Sequence, residues 1–82
     1  MTREYPLDSA VDAANIDDLA RLGQRIAEVR KQRRWTQTDL AEAADISRVT
    51  VSKIERGVTD VGYVRLIRVA RALDVPASAL VG

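Results

Sequence analysis

Cysteine and histidine are both absent from the 82 residues. That removes disulfides and the two commonest zinc ligands, and with them the usual thiol nucleophile and imidazole base. A Ser–Lys pair or two carboxylates could still do chemistry, but no spacing places such a pair. No catalytic residue, metal site or cofactor is therefore expected. Long apolar runs are missing too, since nothing approaches the roughly 20 residues of a membrane span. The opening stretch Met1-Thr-Arg-Glu-Tyr-Pro-Leu-Asp8 lacks the hydrophobic region of a signal peptide, so a cytoplasmic location is the expectation. A chain of this length suits one domain with a modest core. Without disulfide or metal staples, added support is expected from self-association.

What is present is distributed unevenly. The net charge is +1, yet residues 1–18 hold a single base, Arg3, against Glu4, Asp8, Asp12, Asp17 and Asp18. Residues 19–82 hold 12 Lys/Arg against 7 Asp/Glu. A basic domain behind an acidic segment points towards an anionic partner, with nucleic acid as one class. Residues 1–15 are read as an acidic, mobile tail and residues 16–82 as the domain. Within the tail, Ser9-Ala-Val-Asp12 has the pattern of a capping box and could open a short turn of helix.

Apolar periodicity predicts only helices. Leu19, Leu22, Ile26 and Val29 form one stripe over about residues 16–33, with Asn15 and Asp18 suiting the start and Arg30, Lys31, Arg33 and Arg34 the end. Thr36 with Asp39 caps a second helix, Gln37 to Ala44. Asp45-Ile46-Ser47 interrupts it, and Ser47 caps a third helix from Arg48 to Arg56, closed by Gly57. A fourth helix over about residues 62–73 is apolar around most of its circumference, apart from Arg65, Arg68 and Arg71. Such a helix is expected to be buried on several sides. Val75 to Val81 completes the chain with one more turn, Pro76 being acceptable at its first position. No segment alternates with period two, so the fold class is all-α, a compact bundle of about five short helices.

The stretch Gln37 to Gly57 carries the functional signal. Two short helices joined by a tight turn leave the second projecting from the surface. At about 100° per residue, Val51 and Ile54 share one side and should face inward. Val49, Ser52, Lys53 and Arg56 point the opposite way, and Arg48 flanks them in the first turn. Arg or Lys can pair with guanine O6/N7, Ser with either base edge, and Val with a thymine methyl. A solvated surface explains the cations equally well, but it explains an outward Val49 least well.

Thr36-Gln37-Thr-Asp-Leu40-Ala41-Glu-Ala-Ala-Asp45-Ile46-Ser47-Arg-Val-Thr-Val51-Ser52-Lys-Ile54-Glu55-Arg-Gly57 resembles the phage-repressor/Cro-type (XRE-like) helix-turn-helix family. The likeness runs over roughly residues 17–82. It implies a lambda repressor-like domain that binds double-stranded DNA as a homodimer on a palindromic operator. By the same resemblance Arg48, Val49 and Lys53, with Ser52, face base edges. Gln37, Ser47, Thr50 and Arg56 are implied as phosphate contacts, joined by Arg34 and Tyr63. Gln37 can also brace the recognition helix, while Leu40, Ala41, Ile46, Val51, Ile54 and Glu55 match scaffold positions.

This sequence departs from the family pattern at the turn, where Asp45 stands in place of glycine. Aspartate is among the few residues that visit the left-handed region acceptably. Val49 replaces a hydrogen-bonding residue common among relatives, and the acidic tail does not suit a basic minor-groove arm. The short chain and the run from Gly57 to Val75 are also similar to antitoxins of this fold. That alternative would add a toxin protein as partner and autorepression of a shared operon as the activity.

Overall fold

The computed structural model describes residues 9–81, with side chains from residue 16 onward. Five helices follow one another: α1 Ser9–Gln32, α2 Gln37–Ala44, α3 Arg48–Glu55, α4 Tyr63–Leu73 and α5 Ser78–Val81. No strand occurs among the described residues. The all-α expectation holds. α1 packs on α3 and α5, while α2 packs on α3 and α4.

α1 begins at Ser9 rather than near residue 16, so Ser9 is the first residue of the long helix and not the start of a separate short turn. Nothing from Ser9 to Leu22 breaks a helix, and alanines at 10, 13, 14 and 20 favour one. The expected tail is therefore helical from residue 9, and its first eight residues lie outside the described part. At 24 residues α1 is about 36 Å long. α5 starts at Ser78, later than expected, and the Pro76 carbonyl accepts from the Ala79 N–H at 2.9 Å.

Ile26, Leu40, Val51, Val69 and Leu73 are the largest fully buried side chains. Each contributes about 1.5–3 kcal/mol by leaving water. Ala41, Ala44 and Ala70 let α2 and α4 approach closely around them. Only one face of α4 is covered, however. Val69, Ala70 and Leu73 are buried, but Tyr63 and Val64 are 77% and 63% exposed. The expectation of burial on several sides fails because α2 is the one helix packed extensively along α4.

Four helices end in the same way. Arg34, Asp45, Gly57 and Asp74 all take positive φ, between 58° and 72°. Each donates its N–H to the carbonyl three residues back, and the next residue donates to the carbonyl five back. At the end of α2 these bonds are Asp45 to Glu42, 3.3 Å, and Ile46 to Ala41, 3.0 Å. This is the Schellman closure, which satisfies carbonyls that the helix leaves free. The following residue is apolar each time (Trp35, Ile46, Val58 and Val75), and all but Val58 pack against the core. Glycine occupies only one of the four left-handed positions.

Two glycines let α3 lie directly on α1. A Cβ on Gly23 would sit 2.3 Å from the Ile54 carbonyl oxygen and 2.6 Å from that of Glu55. A Cβ on Gly57 would sit 2.8 Å from Ala20 Cα. Neither neighbour can yield, since both are backbone. Alanine at position 23 would gain about 1 kcal/mol of helix propensity, but the overlap reverses the sign. Gly23→Ala is expected to lower stability by about 1–3 kcal/mol in urea unfolding. A neutral or stabilising result would contradict this packing.

Candidate nucleic-acid interface

α2 and α3 are eight residues each and are set by their caps. Thr36 Oγ1 accepts from the Asp39 N–H at 3.0 Å while Asp39 Oδ2 accepts from the Thr36 N–H at 2.8 Å, a reciprocal box. Ser47 Oγ accepts from the Thr50 N–H at 3.0 Å and opens α3. Between them Asp45 turns the chain at φ 59°, ψ 48°, in the left-handed region as the sequence required. An aspartate there carries strain that glycine does not, on the order of 1 kcal/mol. Asp45→Gly is expected to raise the thermal midpoint by a few degrees, and Asp45→Val to lower it.

α3 divides its side chains as its periodicity predicts. Val51 and Ile54 are buried at 1% and 3% exposure. Arg48, Val49, Lys53 and Arg56 are exposed, Val49 to 57%, with Ser52 half-buried among them. The helix thus presents three cations, a hydroxyl and one uncovered branched apolar side chain. At its N-terminus the Arg48 and Val49 amides have no backbone acceptor among the described residues, and the helix dipole makes this end favourable for an anion. Ser47 Oγ and Thr50 Oγ1 lie 2.8 Å apart, hydrogen-bonded to each other. One hydroxyl donates to the other, so the pair has one O–H left to offer outward.

The far end of α3 is held by a buried ion pair. Arg30 on α1 meets Glu55 in a fork: Nε to Oε2 is 2.7 Å and Nη2 to Oε1 is 3.0 Å. Arg30 Nη1 donates to the Trp35 carbonyl at 2.7 Å, and Gln37 Nε2 donates to Glu55 Oε1 at 3.0 Å. Both charged side chains are at least nine-tenths buried. Hydrogen bonding to Glu55 raises the pKa of Arg30, burial opposes the rise, and the attraction of the same carboxylate adds to it. The guanidinium stays charged at any ordinary pH. Alongside, Arg33 donates to the Leu73 carbonyl at 3.0 Å and stacks over Trp35 at 4.8 Å. The junction of α1 and α2 is thereby tied to the ends of α3 and α4.

Ser47, Arg48, Val49, Thr50, Ser52, Lys53 and Arg56 are gathered on α3 and its caps. Gln37 joins them through Glu55. Arg34 lies exposed on the α1–α2 turn and Tyr63 at the first position of α4, and no hydrogen bond links either to α3 among the described residues. Sequence reasoning treated Arg30 as a cation suiting the helix dipole and assigned Gly23 no role. A lone glycine inside a helical stripe is a readable signal of close approach. The Arg30–Glu55 pairing, 25 residues apart, has no local signature.

Comparison with known proteins agrees with this geometry. The Helix-turn-helix family model matches residues 26–80. The chain belongs to the helix-turn-helix family. This helix-turn-helix protein is 44% identical over 61 residues to an immunity repressor protein of Bacillus phage phi105, covering 74% of this chain and 42% of the relative. It is 41% identical over 77 residues to the uncharacterized HTH-type transcriptional regulator y4wC of Sinorhizobium fredii, covering 94% of this chain and 48% of that one. The chain thus spans less than half the length of the curated relatives it matches. Among solved structures, the restriction-modification controller protein C.AhdI from Aeromonas hydrophila superposes with a TM-score of 0.77 at 34% identity. The match covers 78% of this chain and 97% of that one. Among the described residues no helix is long and apolar enough to cross a membrane.

Removing one partner of a buried pair leaves an uncompensated charge, which costs more than replacing both. Arg30→Met alone is expected to cost about 3–5 kcal/mol in chemical denaturation, and Arg30→Met with Glu55→Leu distinctly less. Equal losses in the single and double variants would mean that the pair is not coupled.

Proposed function

We propose that this helix-turn-helix protein is a transcriptional repressor that binds DNA as a dimer on a palindromic operator. The observation that carries the reading is the outward face of α3, where Val49 stands uncovered among Arg48, Lys53 and Arg56 on a helix anchored by its opposite side. In this role α3 enters the major groove. Arg48 and Lys53 reach guanine edges, Val49 packs on a thymine methyl and Ser52 contacts a neighbouring edge. Ser47, Thr50 and Arg56 meet phosphates beside the groove, and Gln37, Arg34 and Tyr63 meet phosphates further along.

The Gln37 amide nitrogen has two N–H groups, of which one is committed to Glu55. The other is free to donate to a phosphate, so docking of the backbone and the brace on α3 share one side chain. A single unit touches few base pairs. Two units on a two-fold read half-sites about 34–36 Å apart, and occupancy of a promoter excludes polymerase. The regulatory part of this reading is supported by the names of the relatives, an immunity repressor and an HTH-type transcriptional regulator.

Fluorescence anisotropy with the duplex upstream of its own gene, against a scrambled duplex, is the direct test. Tight binding to the first alone is expected, falling steeply as salt rises because each neutralised phosphate releases counterions. Lys53→Ala should weaken operator binding by about 1–3 kcal/mol and relax preference at one base pair. An equal loss on both duplexes would make Lys53 a phosphate contact instead. Absence of binding to either duplex at low salt would overturn the DNA-binding reading. Binding that required a co-purifying toxin would favour the antitoxin role.

A further inference from the structure

A groove of about 520 Å³ runs between α1 and α5 and takes no part in the surface described above. Its apolar lining is Leu19, Leu22, Leu80 and Val81. Leu80 is anchored in the core, while Val81 stands 58% exposed at the lip. The α1 wall carries Asp18, Arg21, Arg25 and Glu28. α3 approaches α1 at Ala20 and Gly23, roughly half a turn around the helix. The groove therefore remains open when α3 faces DNA.

The charges on this wall have an order. Asp18 pairs with Arg21 at 3.3 Å and Arg25 with Glu28 at 3.6 Å, both pairs well exposed and worth little within one subunit. Asp18 and Arg25 are seven residues apart, two helical turns, so they stand in one row about 10.5 Å apart with Leu22 between them. A row that is acidic at one end, apolar in the middle and basic at the other is complementary to a copy of itself turned end for end. Parallel alignment would oppose like charges.

We infer that the α1–α5 groove is the surface on which a second copy of this chain docks. The two α1 helices run antiparallel about a two-fold axis beside Leu22. Asp18 of each subunit then faces Arg25 of the partner subunit, and the contact is made twice. Leu22 and Val81 of both subunits close the apolar centre. This placement rests on the dimeric reading above and adds where the dimer forms, leaving both α3 helices uncovered on the far sides of the paired α1 helices.

Sedimentation velocity on the full chain tests it. Asp18→Arg and Arg25→Asp are each expected to weaken the dimer about tenfold or more, because each creates two like-charge contacts. The double reversal should return within about threefold of the natural protein, as a coupled pair requires. Val81→Glu should weaken the dimer while leaving the thermal melt unchanged at concentrations where both proteins are monomeric. Loss in both single variants with no recovery in the double overturns the antiparallel pairing. Unchanged dimers in all the variants overturn the groove as the interface. A natural protein that stays monomeric at every concentration, with and without operator DNA, overturns the dimeric reading itself.

Discussion

The Arg30–Glu55 fork is the constraint on which the rest of the arrangement depends. It joins the end of α1 to the end of α3, and the same two side chains take in the Trp35 carbonyl and the Gln37 amide. A buried ion pair is weak evidence for stability, since its desolvation cost offsets most of the attraction. Its contribution here is geometric. A planar guanidinium meeting a carboxylate in two parallel bonds admits one orientation. The last turn of α3 is therefore fixed relative to α1 and to the start of α2, where apolar contacts alone would allow sliding.

The glycines act on the same contact. Gly23 brings the backbone of α1 against the final carbonyls of α3, and Gly57 brings the end of α3 against Ala20. Ion pair and glycines lie on either side of one crossing, so the crossing is defined by close backbone approach and by directional bonds together. The Schellman closures do comparable work between elements. They turn the chain within two or three residues and tuck an apolar side chain behind three of the four turns. A domain this small reaches a defined geometry through many short-range stops and a few long-range ties.

Much of this was legible in the sequence, and the parts that were not share a cause. α2, the Asp45 turn, α3 and its buried Val51 and Ile54 follow from local periodicity, capping residues and a residue that tolerates positive φ. The start of α1 is not where the sequence suggests, because Asn15 with Asp18 imitates a cap in the middle of a helix that already runs from Ser9. The left-handed Arg34 carries no residue-type signal, whereas Asp74 has the same tolerance of positive φ as Asp45 and closes α4 in the same way. The partial exposure of α4 depends on which neighbours cover it, and its composition cannot reveal that. Of the candidate site, the outward face of α3 was readable, whereas the Glu55 brace required two residues far apart in the chain.

On α3 the positions that hold the helix and those that face outward alternate without overlap. Val51, Ile54, Glu55 and Gly57 bind it to the body, while Arg48, Val49, Lys53 and Arg56 are exposed and Ser52 is half-buried between the two sets. Exchange of the second set leaves the first undisturbed. Under the proposed DNA-binding role, a few substitutions on this face redirect the scaffold to new sequences, each nearly free of folding cost. In a lineage under pressure to change its target, drift in specificity would outpace drift in fold.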